Sequence, residues 1–306
     1  MAQQTALCHF QNTHRQRADK RRLKQTRSGT AAPFFFFDRT PPLQRSAHLN
    51  LTANPFNFRS RIRASGIHFV LSMAVALVAA ALVFGIWFPG IYRSIAGGRE
   101  LFFLIMAVDV VLGPLLTFTV FNTRKLPRHL RRDLGVIGLL QAAALAYGLH
   151  VVFLARPVAM VFEVDRLRVI NAAQVYLPDL PLAAPGFRAL PLMGPWLLST
   201  RTPTAGTEHN EALMMSLNGA DRAERPLFWQ PYEMAQTDVL RAARPLHLLL
   251  ANYPAQAEQV THRLAALGLP LATMRFLPLT ARSGDWVAVL DANAKPIHFV
   301  PVDGFF

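Results

Sequence analysis

Cysteine is almost absent: Cys8 is the only one in 306 residues. That excludes an internal disulfide and a metal site built from cysteines. Charge is scarce as well, at 16% of residues, against about 25% in an average soluble domain. With 52% hydrophobic residues and a mean hydropathy of +0.24, neither a disordered chain nor a purely soluble one fits. Acids are the scarcest charge, 18 against 32 bases, for a net +14. Such an excess first suggests nucleic acid, but its distribution argues otherwise. Residues 1–66 hold 12 bases and 2 acids, residues 122–133 hold 5 and 1, and residues 156–306 hold 13 and 13. The excess therefore sits in two segments, each beside a long apolar run.

Those runs set the class. Residues 67–88, 101–121 and 134–154 are apolar apart from a few polar side chains, and each reaches the ~20 residues that a helix needs to cross a bilayer. Arg59, Arg61 and Arg63 precede the first run, and Arg124, Lys125, Arg128, Arg131 and Arg132 separate the second from the third. Basic connectors stay in the cytoplasm, so the N-terminus is expected inside and everything after Ala155 on the far side of the membrane. Trp87 and Tyr92 mark the exit of the first span, a position that amphipathic aromatics favour. The domain reading is 1–58 as a tail, 59–155 as three transmembrane helices, and 156–306 as a domain on the far side, which is the periplasm if the membrane is a bacterial inner membrane.

The tail is Arg-rich, with acids only at Asp19 and Asp38, and shows no lasting period. A disordered basic segment and a start assigned too far upstream both account for it. Its basic cluster at 20–24 has no interleaved aromatics for base stacking, so no nucleic-acid partner is expected.

The C-terminal 150 residues suit one compact domain. Strands are expected at 158–164, 273–279, 286–290 and 297–302, and helices at 207–217, 231–243 and 254–267. The Pro-rich stretch 177–195 must be extended or looped. The expected fold is a three-helix transmembrane bundle followed by an α+β domain with a small antiparallel sheet.

Asp109 is the sharpest single residue. It lies near the middle of its span, where an isolated charge costs several kcal/mol, so it is protonated or paired inside the bundle. Gly113 and Pro114 follow, and Pro114 deprives the carbonyl of Val110 of its helical donor. Counting 1.5 Å per residue from the span centres puts Tyr147 within about 2 Å of the depth of Asp109 and Gln141 roughly 7 Å away. Tyr147 is therefore the expected partner, with His150 a turn further out. A structural hydrogen bond, a proton relay and a docking point for another helix all fit this group. Gly138, Ala142 and Ala146, like Ala76 and Ala80, are spaced for close helix packing, within the bundle or against a partner. Enzyme signatures are missing: there is no Gly-x-Ser-x-Gly, phosphate loop, His-Glu-x-x-His or Gly-x-Gly-x-x-Gly. Glu163 and Asp165, and His209 between Glu208 and Glu211, are weak metal hints; salt bridges to Arg166 or Arg168 and a solvated helix face explain them better. No catalytic residue, cofactor or metal is expected.

Four stretches carry a resemblance: SGIHFVLSMAVALV (65–78), DVVLGPLLTFTVF (109–121), RRDLGVIGLLQAAALAYG (131–148) and RPVAMVFEVDR (156–166). In this order they resemble the type IV pilin accessory proteins of the TfpX/TfpZ type. The resemblance covers about residues 60–170 and excludes the tail. It implies a bacterial inner-membrane protein that assists assembly, stability or display of the major pilin, with other pilus assembly proteins as further partners and no established activity. A membrane enzyme of pilin modification and a periplasmic ligand sensor are the competing readings.

Overall fold

Hydropathy locates only the apolar stretch of a helix, and the real helices are longer. A computed structural model describes residues 58–122 and 126–306. The expectations for residues 1–57, and for Arg124 and Lys125, lie outside the described residues. Helix α1 (Phe58–Leu82) continues into a π turn, Val83–Trp87. A short α2 (Tyr92–Ile95) leads to α3 (Gly98–Val120) and then α4 (Pro127–Leu154). Three helices, Phe58–Trp87, Gly98–Val120 and Pro127–Leu154, are long and apolar enough to cross a membrane. Arg128, Arg131 and Arg132 of the basic connector lie within the first turns of α4. Pro127 occupies the first helical turn, where its missing N–H costs nothing.

Polar groups tie the helices together. Arg61 Nη1 donates to the carbonyls of Phe118 and Thr119 at the end of α3, where the helix dipole favours a cation. Ser65 Oγ donates to the carbonyl of Pro114 at 2.8 Å. His68 Nδ1 and Thr117 Oγ1 lie 2.5 Å apart. The α3 helix is continuous through Pro114.

The C-terminal domain contains β1 (Pro157–Glu163), β2 (Arg166–Asn171), β3 (Trp196–Thr200), α5 (Thr207–Leu217), β4 (Trp229–Pro231), α6 (Gln236–Ala242) and β5 (Arg244–Pro245). It ends with α7 (Leu246–Asn252), α8 (Pro254–Ala266), β6 (Arg275–Ala281), β7 (Gly284–Leu290) and β8 (Pro296–Val300). The sheet is eight-stranded, in the order β4-β3-β1-β2-β6-β7-β8, with β5 also on β6. It is mixed: β1 pairs with β3, and β2 with β6, in parallel. The expected small antiparallel sheet is thus corrected. Strands β2 and β3 are short, and β2 alternates Arg with apolar residues, so neither shows as an apolar run. The segment expected as one helix at 231–243 divides into β4, a 3-10 turn at Tyr232–Ala235 and α6.

Alternation along the central strands builds two faces. Met160 and Phe162 of β1, Leu277 and Leu279 of β6, and Ala288 and Leu290 of β7 join one core with Ala76, Val83, Phe88, Ile95, Phe102, Met106 and Val152 of the helices. The opposite face is covered in two parts. Val161, Ile170, Leu198 and Trp229 form one cluster; Phe276, Val287 and Val289 form the other with Leu246, Leu249, Val260 and Leu264 of α7 and α8. All described residues lie within one compact unit, Pro55–Phe306.

A buried ion pair ties the 3-10 turn Leu177–Leu182 to the segment just before β4. Arg225 Nε meets Asp179 Oδ2 at 2.6 Å, with side-chain exposures of 2% and 6%, and the guanidinium lies 5.0 Å from the Phe228 ring centre. Arg225→Met should lower stability by about 3–5 kcal/mol, because it leaves a buried carboxylate without its counter-charge. Arg225→Met with Asp179→Leu should recover much of that loss. Thermal unfolding of the full chain in detergent checks both.

Candidate functional site

The helix midpoints decide which polar residues of the long apolar helices can meet. Gly98–Val120 is centred on residue 109, and Pro127–Leu154 between residues 140 and 141. Gln141 therefore faces Asp109. Its Nε2 donates to Asp109 Oδ1 at 3.3 Å and to the Asp109 carbonyl at 3.2 Å. The expectation of Tyr147 as partner is corrected: Tyr147 is 72% exposed on the outside of the bundle. The depth estimate failed because it centred α4 on its apolar part, 134–154, and ignored the helical basic turn before it. Six residues beyond Gln141 also rotate Tyr147 well away from α3. His150 is exposed too.

Gly113 makes the pairing possible. A Cβ there would overlap the Gln141 carboxamide, so the absent side chain is the space that Gln141 fills. Gly148 does the same for Ile105. The stripe Gly138, Ala142 and Ala146 does not: all three are exposed, and a Cβ on Gly138 would meet nothing within 4 Å. Packing of that stripe inside the bundle is corrected, whereas Ala76 is buried and Ala80 partly so, as expected.

Sequence reasoning missed the α1–α3 seam. Ser65, His68 and Ser72 fall on one helical face, and that spacing was its signal. Thr117 is eight residues from Asp109, about 12 Å along the axis, so His68 and Asp109 occupy separate ties. Gln141 has no titratable proton to pass on. The geometry suits a structural clamp between helices.

A second candidate lies in the C-terminal domain. A cavity of about 660 Å³ is lined by Glu163, Arg168, His209, Ser216, Asp221 and Arg222, among others. The Arg168 guanidinium reaches Asp221 at 2.7 Å, Glu224 at 3.1 Å and Glu163 at 3.3 Å. Arg222 lies 3.6 Å from Glu163, and Asp165 pairs with Arg166 at 2.8 Å. Burial raises the Asp221 carboxyl, but hydrogen bonds from Ser216 and Arg168 outweigh it and hold the group below the ordinary carboxylate range. Burial pushes Glu224 up, against the pull of Arg168. Both acids of the 163/165 pair are thus engaged by arginines. Among the described residues no group of three or more potential metal ligands occurs. At the rim, Val164 turns the β1–β2 hairpin with φ of 60°, a conformation that a β-branched residue rarely adopts.

Comparison with known proteins adds the following. The family of fimbrial assembly protein FimB matches residues 56–97. A fimbrial assembly protein of serogroup I from Dichelobacter nodosus is 38% identical over 252 residues, 82% of this chain and 97% of the relative. The serogroup E1 protein of the same organism matches equally, at 38% over 252 residues. The protein of serogroups C1 and C2 is 44% identical over 128 residues, 42% of this chain and 96% of the relative. No solved structure matches.

The clamp yields a prediction. Asp109→Asn keeps an acceptor for Gln141 and should leave stability unchanged. Asp109→Leu should cost about 0.6 kcal/mol, the average for a hydrogen bond between membrane helices. Gly113→Ala should cost a similar amount, because the methyl group displaces the Gln141 amide. Combining Gly113→Ala with Asp109→Leu should then add little, since both remove one contact. Unfolding in detergent micelles gives all four values; full additivity would mean that Gly113 and Asp109 act on different contacts.

Proposed function

We propose that this chain, which belongs to the fimbrial assembly proteins of the type IV pilus accessory family, acts in pilus biogenesis as a non-enzymatic membrane partner of the major pilin. The observation that carries this reading is the 38% identity along nearly the whole length of a fimbrial assembly protein. The three apolar helices cross the bacterial inner membrane, with the basic end of α4 in the cytoplasm and the C-terminal domain in the periplasm. The asymmetry of arginines supports that direction: Arg59, Arg61, Arg63, Arg128, Arg131 and Arg132 lie at one end of the bundle. A pilin subunit waiting in the same membrane would meet two surfaces at once. One is the outer face of α4, where Gly138, Ala142 and Ala146 leave room for a close helix. The other is the C-terminal domain.

An accessory role also accounts for the chemistry. The charges lining the cavity satisfy one another, and the intramembrane acid is held by an amide. Two results are expected. Alkaline phosphatase fused after Phe306 should be active, and an inactive cytoplasmic reporter would reverse the orientation. Glu163→Gln, His209→Ala and Asp221→Asn should each leave piliation intact at matched abundance. Complete loss with any one of them would move the protein to the enzymatic class.

A further inference from the structure

The Pro-rich stretch 177–195 contains a segment that leaves the sheet and returns to the helices. Gly194 N–H donates to the carbonyl of Ile86 at 3.1 Å, in the last turn of the first long helix. Arg156 Nε donates to the carbonyl of Pro191 at 3.3 Å. The same guanidinium donates through Nη1 to the Phe153 carbonyl at 2.8 Å and lies 3.7 Å from the Phe153 ring centre. Arg156 is only 5% exposed. Residue 194 is thus pinned to the π turn that ends the first long helix, and residue 191, through Arg156, to the end of α4. Gly194 has φ of 59°, and a Cβ there would come within 3.3 Å of Pro89, so glycine suits this close approach.

Between the pins, Leu192 and Met193 point outward. They are 62% and 75% exposed. Two neighbouring large apolar side chains are held at the level of a span terminus by ties to Ile86 and, through Arg156, to Phe153, whose ring meets that of Trp87 edge-on at 5.2 Å. At that level the surroundings of a membrane protein are the interfacial region of the bilayer, which accepts apolar and aromatic side chains.

We propose that Leu192 and Met193 insert into the lipid interface, so that the loop at 191–194 acts as an additional anchor and fixes which face of the C-terminal domain lies against the membrane. This rests on the reading that the three helices cross a bilayer. The partner is the lipid surface itself. A protein covering the same loop would be a different result, and the test separates the two.

The test uses the full chain with Cys8→Ser, reconstituted in nanodiscs of phosphatidylethanolamine and phosphatidylglycerol, with one cysteine labelled by an environment-sensitive dye. Met193→Cys and Leu192→Cys report on the loop. Val108→Cys, 50% exposed on α3, reports on the span. Asp165→Cys, in the hairpin about 23 Å of strand away from the end of α4, reports on water. Labels at 192 and 193 should emit blue-shifted light and lose most of their quenching by aqueous iodide, as at 108 and unlike at 165. Quenching at 192 and 193 equal to that at 165, with 108 still shielded, would overturn the loop insertion alone. Quenching at 108 as well would overturn the bilayer reading beneath it. Shielding at 193 that appears only after pilin is added would replace lipid by protein as the partner.

Discussion

The rest of the structure depends on one continuous core between helices and sheet. Only Ala155 and Arg156 separate α4 from β1, too short a link for a free domain. Phe88 and Ile95, both fully buried, come from the connector between the first two long helices and join the apolar face of β1, β6 and β7. Gly98 carries no side chain because the Phe88 ring occupies that space. The β6–β7 turn completes the joint: Ser283 Oγ and N–H both donate to the Ile95 carbonyl, at 2.8 and 3.2 Å. Because this side of the sheet is covered by the helix ends, the domain needs α7 and α8 only on the other face.

Much of this was legible in the sequence for a physical reason. Long apolar runs have no other use in 88 residues, so the three helices were visible. Helix α8 announced itself by Pro254 in its first turn and Gly268 beyond its end, α5 by Thr207 and Glu208 at its start, and β1, β6 and β7 by short apolar runs. Strands β2, β3, β4 and β5 were not visible. Arg166 and Arg168 interrupt β2 because Arg166 pairs with Asp165 and Arg168 serves the ion-pair network with Glu163, Asp221 and Glu224, and β4 and β5 carry three and two residues. Their pairing is decided by tertiary contact rather than by local pattern. The mixed topology follows from these missed strands.

The candidate site shows the same division. Asp109 was recognisable as an acid at the centre of a span, but its partner depended on where α4 begins, and hydropathy does not register a basic first turn. Gly113 looked like a companion of Pro114; its use is to make room for Gln141. The stripe at 138, 142 and 146 carried a packing signal without saying on which side. Once Gln141 and Gly148 are turned towards α3, the helical period leaves that stripe facing outward. A domain joined closely to the helices, a clamped helix pair and an open face on α4 are in keeping with a family of fimbrial assembly proteins.

The most direct test of that account is photo-crosslinking in piliated cells, with a photoreactive residue replacing either Ala142, on the open face of α4, or Ile137, which is 8% exposed inside the bundle. The account predicts an adduct with the major pilin, identified by mass spectrometry, from position 142 and none from position 137. Absence of a pilin adduct at 142 in cells that assemble pili normally would contradict it.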